Sequence, residues 1–113
     1  MIVQYTPEFR RDLRKLKTRL KNEGFPSADT IGKDILTACS DLKNNPEKGL
    51  SAADRFEIDT DMQFLILGMN IVFYRINGDI IEIVRLFDTR TDILFRMFGI
   101  ESSDPESEEY WNE

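Results

Sequence analysis

The sequence predicts an α+β fold: an antiparallel β-sheet in the order β-α-α-β-β-β-α, with an N-terminal helical hairpin on one face and a short C-terminal helix. Three observations predict it. The stretch from Phe64 to Phe87 is rich in apolar and β-branched residues and is broken by Asn77-Gly78, a pair that tolerates positive φ and marks a tight hairpin turn. Two segments with helical apolar spacing precede it. One short helical segment follows it. Consecutive strands joined by short turns pair antiparallel, and adjacent helices pack together on one face of the sheet.

The elements follow in order. Ile2–Tyr5 is short and β-branched, which suits a strand. Thr6-Pro7-Glu8 reads as a helix start, with a hydroxyl cap, a proline at the first helical position and an acid in the first turn. Phe9, Leu13, Leu16 and Leu20 then recur at helical spacing until Gly24 and Pro26 end the helix. A second helix starts at Ser27 to Asp29, carries the stripe Ile31, Ile35, Cys39 and Leu42, and stops at Asn44-Asn45-Pro46. Lys48 to Asp54 is expected to be a loop. Arg55–Asp59 is expected to be a strand, because Phe56 and Ile58 alternate with polar residues.

In the hairpin, a two-residue turn at Asn77-Gly78 sets Arg75 opposite Ile80 and Phe73 opposite Glu82. One face then holds Ile71, Phe73, Arg75, Glu82, Val84 and Leu86. The other holds Asn70, Val72, Tyr74, Ile81, Ile83, Arg85 and Phe87. Both faces are mostly apolar, so these strands belong to the middle of the sheet. Thr89 to Asp92 resembles a capping box opening a helix over Arg90–Phe98, closed by Gly99. Residues 1–100 form one domain. Residues 101–113 form an acidic tail carrying Tyr110 and Trp111.

Composition excludes several chemistries. With 113 residues and no histidine, the chain has no Ser-His-Asp triad, no Cys-His dyad and no imidazole metal ligand. No metal or other cofactor is expected. Cys39 is the single cysteine, so no intrachain disulfide forms, in keeping with a cytoplasmic location. Gly68, Asn70, Arg75 and Asn77 interrupt the best apolar run before it reaches membrane-spanning length, and Met1–Pro7 lacks the pattern of a secretory signal.

The net charge of −6 hides an asymmetry. Six of the 21 acids lie after residue 100, and setting them aside leaves 15 acids against 15 bases. The first helix is strongly basic, with Arg10, Arg11, Arg14, Lys15, Lys17, Arg19 and Lys21. Basic and acidic ends of this kind suit a charged partner, or each other.

The order of these pieces resembles the RelE/ParE superfamily of bacterial toxins. The carrying residues are Thr6-Pro7-Glu8-Phe9 with Asp12-Leu13, Asn45-Pro46-Glu47-Lys48-Gly49, Val72-Phe73-Tyr74-Arg75-Ile76, and Ile80 to Leu86 leading to Arg90-Thr91-Asp92-Ile93. The resemblance implies the toxin of a type II toxin–antitoxin, plasmid-stabilisation-like system: a bacterial growth inhibitor neutralised by a cognate antitoxin. RelE-like relatives are ribosome-dependent mRNA endonucleases, and ParE-like relatives poison DNA gyrase. Where the nucleases often carry a strand arginine, a basic residue and a histidine after the last strand, and a helix tyrosine, this chain has Ile71, Thr89, Asp88 and Phe95. Those substitutions remove the charge and proton-transfer groups that RNA cleavage needs, which favours the ParE-like branch. The alternatives are an mRNA endonuclease and a toxin fold that has lost activity and serves as an interaction module. A homodimer and a toxin–antitoxin hetero-oligomer are both open.

The candidate site residues follow from the same layout. Glu57, Arg85 and Arg90 are the catalytic candidates that remain, although Glu57, alternating with Phe56 and Ile58, reads better as a surface carboxylate. Arg75, Arg85, Arg90, Tyr110 and Trp111 are the partner-binding candidates. Arg75 is expected to pair with Glu82, and Arg85 to form either an ion pair or a ligand contact. Arg90 is expected in the first turn of a helix, where the dipole disfavours a cation.

Overall fold

The computed structural model describes residues 1–101; Tyr110, Trp111 and the rest of the tail lie outside the described residues. The fold is a five-stranded sheet with a helical hairpin on one face and short helices on the other. Strand β1 spans Ile2–Tyr5, helix α1 Pro7–Asn22 and helix α2 Ala28–Asp41. The Thr6 hydroxyl accepts the Phe9 N–H at 3.0 Å, with Pro7 opening α1 as the sequence suggests. Phe9, Leu13, Leu16 and Leu20 of α1 meet Ile35, Cys39 and Leu42 from α2 and its C-cap in one core, over Val72, Tyr74, Ile81 and Ile83 of the sheet.

The central segment departs from the sequence reading. In place of the Lys48–Asp54 loop and the Arg55–Asp59 strand there is a 3₁₀ turn at Pro46–Lys48, a two-residue strand β2 at Leu50–Ser51 and a helix α3 at Ala52–Phe56. The reason is local. The Ser51 hydroxyl accepts the Asp54 N–H at 3.2 Å and caps the helix, and Phe56 turns inward against Phe64, Phe73 and Phe98. Glu57 then ends α3 in the left-handed region at φ 54°.

The long first arm of the expected hairpin is two strands. Gly68, at φ 64°, and Met69 turn the chain between β3 (Gln63–Leu67) and β4 (Asn70–Asn77). Strand β5 covers Ile80–Asp88 and completes the order β1-β5-β4-β3-β2. The sheet is mixed rather than wholly antiparallel, because β1 runs parallel to β5, with Ile2 beside Ile80 and Tyr5 beside Ile83.

The β4–β5 register also differs from expectation. Asn77 pairs with Ile80 and Arg75 with Glu82, so the turn residues are Gly78-Asp79. Gly78 alone takes positive φ, at 61°, as a loop with glycine first requires. A bulge leaves Val84 without a partner, since Phe73 pairs with Arg85 and Tyr74 with Ile83. The extra residue exchanges the faces that follow it. Leu86 joins the helix-side core with Ile83, whereas Phe87 joins Phe64, Ile71, Phe73 and Ile93 on the opposite face.

The last helix, α4, runs over Ile93–Phe98, three residues shorter at its start than Arg90–Phe98. Asp92 caps it by accepting the Phe95 N–H at 3.3 Å, while Thr89–Thr91 forms a turn held by Asp88. Gly99 closes it at φ 68°, as expected. Among the described residues no helix is long and apolar enough to cross a membrane.

Candidate functional site

Strand β1 is four residues long and covers less than half of β5, which leaves Val84–Asp88 as an open edge. The start of α1 covers part of it. The Thr6 N–H donates to the Ile83 carbonyl at 3.0 Å and its hydroxyl donates to the Val84 carbonyl at 2.7 Å. Nearly two turns further along, an Asp12 carboxylate oxygen accepts the Leu86 N–H at 3.0 Å. The same carboxylate grips the Arg85 guanidinium at 2.7 and 3.1 Å. Arg85 is held further by stacking on Phe87 at 4.5 Å. Its ion pair is therefore made between elements, with Asp12, a residue that the sequence marks through the family resemblance but not as a partner of Arg85.

The other arginines are placed separately. Arg75 lies directly across from Glu82, with Nε 3.7 Å from the carboxylate, an ion pair but not a hydrogen bond. Arg90 sits in the turn before α4, not in a helix, and binds Asp88 through two hydrogen bonds of 2.9 and 3.0 Å. Its side chain is 74% exposed. Glu57 is exposed at the end of α3. The candidates thus do not all converge on one constellation, although Arg75 and Arg85 line one depression of about 450 Å³ with Val84 and Met97. Arg90 rims the helix side, Arg75 lies on the opposite side, and Arg85 sits at the sheet edge between them.

Two continuous depressions mark the helix side. A groove of about 550 Å³ lies between the tip of the helical hairpin and the β3–β4 turn, lined by Leu20, Phe25, Ile31, Leu67 and Met69, with Arg19 and Arg90 at its rim. It shares Leu16, Arg19, Asn70 and Asp88 with a polar channel of about 420 Å³ along the open edge of β5. Arg11, Lys15, Arg19, Arg85 and Arg96 line that channel. Phe25 and Met69 are 49% and 57% exposed. On the opposite face a depression of about 350 Å³ is mainly apolar, with Phe56, Phe64, Ile66, Ile71 and Ile93 beside Thr89.

The shifted acids move away from neutrality. Burial pushes the Cys39 thiol up to about 12 and raises Tyr74 and Tyr5 above the usual tyrosine range. Hydrogen bonds from the Arg90 guanidinium and N–H hold Asp88 down at about 2. None of these four is poised to exchange a proton near pH 7. Among the described residues no cluster of three or more His, Cys, Asp or Glu is arranged to hold a metal.

A sheet of this topology, backed by a helical hairpin, fits the RelE/ParE-type fold. The fold is similar to a chain of the chromosomal ParDE toxin–antitoxin system from P. aeruginosa, at 19% identity and a TM-score of 0.66 over 78% of this chain and 95% of that one. It is also similar to a chain of the RelBE2 toxin–antitoxin complex from Mycobacterium tuberculosis, at 21% identity and a TM-score of 0.55 over 77% and 95%. No match to a curated protein was found. The family model of the ParE toxin of type II toxin-antitoxin system, parDE, matches residues 3–93, and the chain belongs to that family.

Proposed function

We propose that this protein arrests growth by binding DNA gyrase, without chemistry of its own, and that a cognate antitoxin neutralises it in the cytoplasm. The observation that carries this reading is the character of the face where nuclease relatives keep their charges. Ile71 is buried there beside Phe73 and Phe87, Thr89 lines an apolar depression, and Phe95 is exposed on α4. RNA cleavage needs cations on the scissile phosphate and groups that move protons. Among the described residues lining that depression the single cation is Arg55, whose guanidinium lies 5.5 Å over the Phe56 ring.

The similarity to chains of ParDE and RelBE2 toxin–antitoxin complexes supports an antitoxin as the neutralising partner. Residues 1–100 carry the toxin domain in this reading, and Arg75, Arg85 and Arg90 are its polar contacts. Purified protein is tested in two assays, supercoiling by gyrase and mRNA cleavage on translating ribosomes. Loss of supercoiling with intact mRNA is the expected result. Cleaved mRNA with normal supercoiling reverses the assignment, and silence in both assays points to an interaction module.

A further inference from the structure

The channel along the β5 edge carries unspent positive charge. Arg85 is neutralised by Asp12, and Asp88 by Arg90 with Arg19 at 3.8 Å. Arg11, Lys15 and Arg96, exposed on α1 and α4, have no carboxylate partner among the described residues. Arg11, Lys15 and Arg19 recur every four residues, so they form a single stripe on α1 facing the channel. At the end of this stripe the channel opens into the apolar groove that exposes Phe25 and Met69. Its chemistry therefore runs in a fixed order, basic first and apolar last.

The sequence beyond the described residues has the complementary order. Asp104, Glu106, Glu108 and Glu109 come first, then Tyr110-Trp111. We propose that this C-terminal segment docks in cis along the channel, its acids over Arg11, Lys15 and Arg96 and its two aromatics in the groove beside Phe25 and Met69. The stripe from Arg11 to Arg19 rises about 12 Å, well within the ~36 Å that the eleven residues after Ile100, up to Trp111, span when extended. Tethering favours such docking even when each contact is weak, because closure is intramolecular. The docked segment covers Arg19 and the groove rimmed by Arg90, so it competes with any partner that uses that surface. This inference does not depend on which target the toxin poisons.

Trp111 is the only tryptophan in the chain, which makes its fluorescence a direct reporter. In the full chain its emission is expected to lie to the blue of free tryptophan and to stay there on dilution. Added salt, Met69→Asp, or the pair Arg11→Glu with Lys15→Glu should return it to the free value. These are exposed positions, and an unchanged circular dichroism spectrum certifies the fold. Adding Glu108→Lys and Glu109→Lys to the Arg11/Lys15 variant should restore the blue shift. Emission at the free value in the unmodified chain overturns the proposal. So does a shift that vanishes on dilution, which indicates a second copy, or one indifferent to both the channel and groove variants.

Discussion

Asp12 of α1 and Arg85 of β5, 73 residues apart, are joined by two hydrogen bonds, and the same carboxylate accepts the Leu86 N–H of the β5 edge. One side chain thereby replaces a missing stretch of partner strand. It ties the helical hairpin to the sheet where β1 is too short to do so. The bulge at Val84 makes this possible, because the extra residue re-aims Arg85 and Phe87 relative to Ile83.

Asp12→Ala should destabilise the fold by about 3 kcal/mol, since it strands both a largely buried guanidinium and a backbone donor. Arg85→Ala should cost less, about 2 kcal/mol, because Asp12 keeps its bond to Leu86. Urea denaturation of both single variants and the double variant checks this, with an expected coupling of about 1–2 kcal/mol. Additive losses would show that the pair is only a neighbourly contact.

The observed turn predicts an asymmetry between adjacent residues. Gly78→Ala should lose about 1 kcal/mol, because its φ of 61° strains a residue with a Cβ. Asn77→Thr should change stability by less than about 0.5 kcal/mol, since Asn77 occupies an exposed strand position opposite Ile80. A turn centred on Asn77-Gly78 gives the opposite ranking for Asn77, so thermal melts of the two variants decide the register.

These residues also show what was legible in the sequence. The apolar stripe of α1, the Thr6-Pro7 start and the Gly99 stop are local signals that appear where the pattern puts them, and the chain reversal falls one residue beyond Asn77-Gly78. A one-residue bulge leaves no trace in apolar alternation, so the partition of Leu86 and Phe87 between faces was hidden. The helix at Ala52–Phe56 was hidden for a related reason. Five residues make little more than one turn, and Phe56 and Ile58 fit a strand period as well as an inward-turned helix end. For the site, the Arg75–Glu82 pair is readable across the hairpin, whereas Arg85–Asp12 and the apolar groove depend on elements far apart in sequence.

Tyr74 supplies a test at alkaline pH. Its hydroxyl donates to the Pro46 carbonyl at 2.8 Å and accepts the Gly49 N–H at 2.9 Å, fixing the turn before β2 to the middle of the sheet. Tyr74→Phe should cost about 2 kcal/mol by leaving both groups unpaired. Burial raises the folded-state pKa of this phenol above its unfolded value. Its contribution is therefore complete below the ordinary tyrosine range and is lost as pH rises through the folded value. Denaturation midpoints measured through the alkaline range should fall less steeply in Tyr74→Phe. Some slope should persist, because Tyr5 is shifted in the same direction.

Asp88 gives the corresponding test in acid. Its carboxyl is held at about 2 by the Arg90 side chain and N–H, against about 3.9 in an unfolded chain. That contribution is present above the unfolded value and is lost as pH falls toward 2. Arg90→Ala should raise the Asp88 pKa toward the ordinary range, read from its side-chain carboxyl carbon by NMR. An unmoved titration would assign the depression to the backbone N–H of residue 90, which the substitution keeps, together with Arg19, 3.8 Å away.

Arg90→Ala is also the variant that separates binding from folding. Arg85 cannot serve, because removing it breaks the tie to Asp12 and any loss of growth arrest could come from a weakened fold. Arg90 is 74% exposed, the carboxylate it pairs with among the described residues is Asp88, two residues away, and it stands at the rim of the apolar groove beside Met69. Its neighbours in the turn keep their own backbone bonds, Thr89 to Met69 and Thr91 to Asp88. Arg90→Ala should therefore lose at neutral pH only the small contribution of its exposed pair with Asp88, while growth arrest on induction falls at least severalfold. Full arrest would take Arg90 out of the contact surface and shift the search to Arg75, on the far face of the sheet.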